Sequence, residues 1–356
     1  SIRQTRQTME RLVHIDALRG GASILLIVHV VALPLLAEPG SSPAIDLWLV
    51  ATLWLLFGCG FLVPAALHAG GNDGRGFAIR RLLRLLPVYL LAVLLTAVLL
   101  PSLPAWLPGV TSRYPGMAFE AVSAYGALPP LLLFYGLCLL LHALGLLHSV
   151  SLRAGCALVL LAAALLLALT QQLIDRTLPV TLPLVLSLMF FASLRYEVQH
   201  EASSYARRRA REYARYTLRV YLLVLPVIFV AGWARDGSPQ QAAWPGQLLG
   251  YVVAVALFLL FTGRLRLRAP LLIWFGSLSC SLYLLLPAMQ RLGQLLTQTL
   301  GLNGPLAASA SAVFGLALAI TSALLCRRLL EHPLTRAGNR LTGQRGVLPL
   351  GRLHSR

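Results

Sequence analysis

Long apolar runs alternate with short basic or Gly/Pro-containing connections along almost the whole chain. Each run is close to the roughly 20 residues that an α-helix needs to cross the hydrocarbon core of a bilayer. Ten such runs are expected, near 17–36, 48–68, 85–101, 127–147, 154–171, 178–195, 220–234, 246–263, 270–290 and 307–326. Alternating strand patterns are absent, which argues against a β-barrel. Backbone groups in lipid must pair within the protein, and helices do this inside each span. The expected fold is an all-α integral membrane protein of about ten transmembrane helices. No internal repeat is evident, which weakens an inverted-repeat transporter reading. The organisation expected is one membrane domain over 1–334 and a basic cytoplasmic tail over 335–356, flexible and drawn to anionic lipid. Residues 196–219 are the one long polar interruption, carrying Arg207, Arg208, Arg209, Arg211 and Arg215. They read either as an amphipathic helix lying on the inner leaflet or as a solvated connector.

Composition supports the membrane reading. The chain is 58% hydrophobic and 12% charged, whereas soluble domains carry about a quarter charged residues. Net charge is +18, and every basic residue among the 30 Lys and Arg is Arg. With both termini placed in the cytoplasm, all of these except Arg113, Arg176, Arg235 and Arg291 fall on the cytoplasmic side. That split is the positive-inside asymmetry that orients membrane proteins. Basic charge alone suggests nucleic acid. Here, however, the Arg lie beside apolar spans, where anionic headgroups sit. The partners expected are therefore membrane lipids and not nucleic acid. An Arg-only, Ala/Leu-rich chain is associated with GC-rich bacterial genomes, so the membrane expected is the bacterial cytoplasmic (inner) membrane. Five Cys (Cys59, Cys138, Cys156, Cys280, Cys326) lie in or beside apolar spans without CxxC or CxxH spacing. They read as small buried hydrophobes. No metal site, Walker loop or dinucleotide fingerprint is visible, so no metal is expected.

Several polar residues stand out against this background. His29 sits in the middle of the first span, where an ionisable group is costly and by default functional. Imidazole titrates near neutrality and suits a general base; the plainer reading is a histidine bonded to a neighbouring helix. Asp16 and Arg19 stand at the cytoplasmic mouth of the same helix, three apart, a spacing that lets them pair. Arg80, Arg81 and Arg84 precede Pro87 and Tyr89 at the start of the third span. Arg81 and Arg84 share a helix face, and two guanidinium forks there either grip phosphates or simply anchor the span. The outer segment 102–126 offers Trp106, Arg113 and Glu120 for acceptor contact, although its aromatics read equally as an interfacial belt.

Taken together, these motifs resemble the acyltransferase 3 family of membrane acyltransferases. His14-Ile-Asp16-Ala-Leu-Arg19-Gly20, followed by an apolar helix with His29, looks like that family's opening. Phe77-Ala-Ile-Arg80-Arg81-Leu-Leu-Arg84-Leu-Leu-Pro87-Val-Tyr89 looks like its RxxR segment. Phe57-Gly-Cys59-Gly60-Phe61 is similar to its Ser-Gly-Phe turn. Phe275-Gly-Ser-Leu-Ser279-Cys-Ser281-Leu-Tyr283-Leu resembles its late helix, and Arg328-Leu-Leu-Glu331-His-Pro333 its closing Glu-x-Pro. The resemblance implies transfer of an acyl group, usually acetyl, from cytoplasmic acyl-CoA as donor substrate to a hydroxyl of an envelope glycan or glycolipid. It implies that His29 and Arg19 are catalytic and that Arg81 and Arg84, with Arg80 beside them, hold the donor. Asp16, Cys59, Gly60, Ser279, Tyr283 and Glu331 fall in supporting positions. Nine residues separate Arg19 from His29 where the family usually has ten. On a regular helix this leaves the two side chains about 80° apart. A later helix start at Gly20-Gly21, or a π-bulge, is expected to absorb the difference. The competing readings are a transporter or flippase of a lipid-linked sugar, and a catalytically altered scaffold.

Overall fold

The structure is a computed structural model and describes residues 16–31, 45–69, 74–99, 127–174, 178–200, 203–233, 244–263, 269–302 and 305–341. The described residues are helical almost throughout and contain no strand. In chain order the helices are α1 (16–31), α2 (Leu47–Ala69), α3 (Gly74–Leu99), α4 (Leu128–Ala143), α5 (Val150–Ile174) and α6 (Thr181–His200). They continue with α7 (Ser204–Trp233), α8 (Trp244–Gly263), α9 (Pro270–Thr299) and α10 (Pro305–Cys326). A π-helical turn, Arg327–Glu331, then leads into α11 (His332–Leu341).

Among the described residues, seven helices are long and apolar enough to cross a membrane; they are α2 and α5 to α10. The surface is correspondingly inverted. On α3 the exposed residues Leu82, Leu86, Leu90, Leu94 and Val98 recur every four positions and form one apolar stripe turned outward. In water such a stripe would demand a partner; in a bilayer it faces lipid. This is an all-α, multi-pass membrane protein.

Buried side chains form two groups. The larger gathers α2, α4, α5, α6, α7 and α8 around Phe57, Phe134, Phe190, Phe229 and Phe258. The smaller gathers α3, α9 and α10 around Val88, Leu285, Ala319 and Ala323. α1 and α2 contribute to both, Leu18 and Val50 to the first, Leu26 and Ala51 to the second. The two groups therefore meet along α1 and α2. Three buried threonine hydroxyls are satisfied by their own helices: Thr52, Thr217 and Thr262 each donate to the carbonyl four residues back. That is the usual resolution for Ser and Thr where no water is available.

Three expectations are corrected. Residues 204–219 are neither a separate surface helix nor an irregular connector; they are the first half of α7. Ala210, Ala214, Thr217, Tyr221, Leu225 and Ile228 are all buried. Their spacing keeps one helical phase across the polar-to-apolar boundary, so nothing ends the helix there. The basic segment before the third span is likewise the first turns of α3. The tail begins as helix: α11 runs to Leu341 and packs on α3, with Gly338 against Arg80 and Leu83.

Candidate functional site

A largely apolar cavity of about 60 Å³, entered by a few polar groups, lies where the two groups of helices meet. It is lined by Arg19 from α1, by Thr52 and Cys59 from α2, by Leu85 from α3, by Leu128 and Leu131 from α4, and by Cys280 and Tyr283 from α9. The volume suits a few waters or one small group.

Backbone contact brings α1 and α9 together. A Cβ on Gly276 would lie 1.7 Å from the carbonyl oxygen of Asp16, and one on Gly20 would lie 1.8 Å from that of Leu272. Small residues permit this close crossing. It places Arg19 opposite Cys280 and Tyr283. On α2, Gly58 receives the stem of Arg19, and Gly60 lets α2 touch the backbone of α6 at Met189. Arg19 is buried, and nothing among the described residues accepts from its Nε. The Tyr283 hydroxyl shares a 3.1 Å hydrogen bond with Thr52, and its ring packs on Trp48 with centroids 5.6 Å apart.

Charge accumulates at one end of the cavity. Asp16 lies within electrostatic reach of Arg19, Arg84 and Arg327. No ion pair forms between Asp16 and Arg19, because Arg19 turns inward to the cavity. Arg84 Nε stands 3.9 Å from Glu331 Oε2, the outer limit of an ion pair. The Ser281 hydroxyl donates to the other Glu331 oxygen. Arg327 Nη1 donates to Ser277 Oγ at 2.6 Å. Both Arg327 and Glu331 come from the π-turn, which directs them together at α9. Arg81 is held differently, with its guanidinium 5.4 Å from the Phe77 ring centroid and 5.7 Å from that of Tyr135. Tyr135 in turn lies against Cys59 and within reach of Arg19. Four guanidinium groups therefore face two carboxylates, leaving net positive charge suited to an anion.

Other expected residues stand apart from this cluster. His29 is half-buried against Trp48, with ring centroids 5.9 Å apart at a steep angle, and nothing described bonds its Nδ1. α1 is regular α-helix throughout 16–31, without a π-bulge. The separation between Arg19 and His29 therefore stands at about 80° around the helix and about 15 Å along it. Trp48 touches both His29 and Tyr283 and so links the two stations. Ser279 donates to Gly276 within its own helix and does not reach the charged cluster. Arg80 lies along α11. Trp106, Arg113 and Glu120 lie outside the described residues.

Thr52, Tyr135, Ser281 and Arg327 join the site without having been singled out from the sequence. Ser281 alone carried a signal, as part of the motif that contains Ser279.

The fold and the cavity thus define a multi-pass helical membrane protein with a buried, largely apolar cavity that Arg19 enters from a cluster of arginines at one end. No family model, no curated protein and no solved structure matches this chain.

Proposed function

We propose that this protein is a membrane O-acyltransferase resembling the acyltransferase 3 family. It would take an acyl group, acetyl in the first instance, from cytoplasmic acyl-CoA and pass it to a hydroxyl of a cell-envelope glycan or glycolipid. The observation that carries the reading is the convergence of Arg19, Arg81, Arg84 and Arg327 at one end of the cavity, opposed among the described residues by only Asp16 and Glu331. In this reading α1, α3 and α4 join the seven long apolar helices to make ten spans, both termini are cytoplasmic, and the membrane is the bacterial inner membrane. The arginines then face the cytoplasm, where CoA phosphates are found.

The residues divide the work. Arg81, Arg84 and Arg327 hold donor phosphates by charge-assisted hydrogen bonds. Arg19, buried and with a spare donor, orients the acyl donor by holding one of its oxygens about 15 Å short of His29, at the inner station. His29 Nδ1 takes the proton of the acceptor hydroxyl and returns it to the departing CoA thiolate. The ester C–O bond forms as the C–S bond breaks, and the proton ends on sulfur. The cavity's small volume favours a short acyl chain.

The test is thermal stability of the detergent-purified chain with and without acetyl-CoA, beside Arg81→Ala. A ligand that binds only the folded state stabilises it by about 2.7 kcal/mol at a hundredfold excess over Kd. We expect a rise in Tm for the wild type and its loss in Arg81→Ala. Arg81 is chosen because it makes ring contacts and, among the described residues, no ion pair, so its removal leaves no carboxylate unpaired. No shift at millimolar acetyl-CoA would remove the support for this donor.

A further inference from the structure

A second pocket, of about 350 Å³, opens between α6, α7 and α8 and shares no lining residue with the cavity around Arg19. Arg195, Arg211 and Arg215 line it together with Gln199, Thr262 and Gly263. Next to its lining residue Arg195, Tyr196 packs edge-on against Phe61 of α2, one turn from Gly58, which receives Arg19. The pocket therefore lies at the same end of the bundle as the cluster around Arg84.

The three arginines have no carboxylate among the lining residues. The two described acidic residues closest in sequence are committed elsewhere. Glu197 accepts from Arg153 at 2.8 Å, and Glu212 accepts from Arg208 at 3.2 Å. Arg195 Nε is buried, and nothing among the described residues accepts from it. Gly263 lies beside this guanidinium: a Cβ there would be in ordinary contact with an Arg195 terminal nitrogen, at 3.6 Å. Gln199 is tied down by donating to the Thr262 carbonyl, which fixes the pocket wall. Three planar forks converging without a counter-charge among the described residues repel one another. A group with several anionic oxygens relieves that repulsion and fills the donors bidentately. The volume exceeds that of a bare phosphate and falls in the range of small-ligand sites.

We propose that Arg195, Arg211 and Arg215 form a binding site for a phosphate-bearing group, separate from the cavity around Arg19. Two sources share that chemistry, the headgroup of an anionic phospholipid and a soluble phosphate compound.

The experiment titrates the purified full chain with phosphatidylglycerol in mixed micelles and, separately, with sodium pyrophosphate, following Tm. Phosphatidylcholine micelles serve as the background. Arg211→Gln/Arg215→Gln is compared with Arg208→Gln/Arg209→Gln, which removes the same charge from exposed positions of the same helix outside the pocket. Arg81→Ala reports any binding at the first cavity. The pocket arginines are expected to matter by about tenfold or more in apparent Kd, the scale of lost charge-assisted bonds, with under twofold change in the Arg208/Arg209 variant. A response to phosphatidylglycerol alone assigns the site to bilayer lipid; a response to pyrophosphate alone assigns it to a soluble ligand. Equal weakening in both double variants means diffuse surface charge and overturns the proposal. Unchanged binding in Arg211→Gln/Arg215→Gln overturns it as well. The substituted side chains sit on an exposed helix face, so Tm without ligand serves as the folding check, and Arg195→Gln provides a second probe of the same pocket.

Discussion

At the residue scale, two serines two positions apart have opposite fates. Ser279 and Ser281 sit in one motif, about 200° apart around α9. Ser279 bonds back to its own helix, whereas Ser281 donates to the buried carboxylate of Glu331. Ser281→Ala is expected to cost about 1.5–3 kcal/mol, the scale of a hydrogen bond to a charged group. Ser279→Ala should cost under about 1 kcal/mol, since the Gly276 carbonyl keeps its helical partner. Thermal melts of the two variants decide it, and equal losses would mean that Glu331 does not depend on Ser281. The sequence could not choose between the serines, because helix phase relative to a partner is settled by packing. The same limit applies to Arg153, which sequence placed merely near a span boundary. It is fully buried, donates to Glu197, and reaches the Ser193 carbonyl at 3.3 Å. Arg153→Met strands a buried carboxylate and is expected to cost about 3–5 kcal/mol. Arg153→Met/Glu197→Leu should recover most of that loss in Tm, because replacing both charges removes the unpaired one. A double variant no better than the single would show that the pair holds α5 on α6 by more than charge compensation.

At the element scale, hydropathy found the cores of the helices and misjudged where they start. It averages over all faces, so basic first turns read as loops, although Arg is a good helix former. In α7 the buried Ala210 and Ala214 continue the phase of Tyr221 and Leu225. Those small residues were the available signal, weak because alanine is common everywhere in this chain. The α1–α9 crossing shows the converse. Gly20 and Gly276 were both visible inside motifs, yet only the structure shows that each lies against the other helix's backbone. Gly20→Ala or Gly276→Ala places a methyl inside a carbonyl oxygen, with no flexible side chain to move aside. Each should prevent the crossing, sharply reducing folded protein in size-exclusion profiles. Gly136→Ala, at a position with open space around its Cβ, should be tolerated. A well-folded Gly276→Ala protein would show that α1 and α9 can separate without loss of the fold, and would make the cavity adjustable.

At the scale of the whole molecule, the asymmetry of charge and the position of the cavity make one joint claim about orientation. Arg19, Arg84, Arg195 and Arg215 gather at one end of the bundle, and the C-terminal end of α9 points to the other. Positive-inside sorting would place the arginine end in the cytoplasm, and the proposed acyl donor would require the same placement. The two arguments are independent, since one concerns insertion and the other chemistry. Cysteine labelling tests them together. Ser203→Cys, before α7, should react with a membrane-impermeant maleimide only in inside-out vesicles, and Leu302→Cys only in intact spheroplasts. Both positions are exposed, whereas the five native cysteines are buried or half-buried, so the parent chain supplies the background. The reverse labelling pattern would turn the arginine cluster away from cytoplasmic CoA. The acyltransferase reading would then fail on geometry alone, while the Arg195 pocket would keep its chemistry and look for its phosphate on the opposite leaflet.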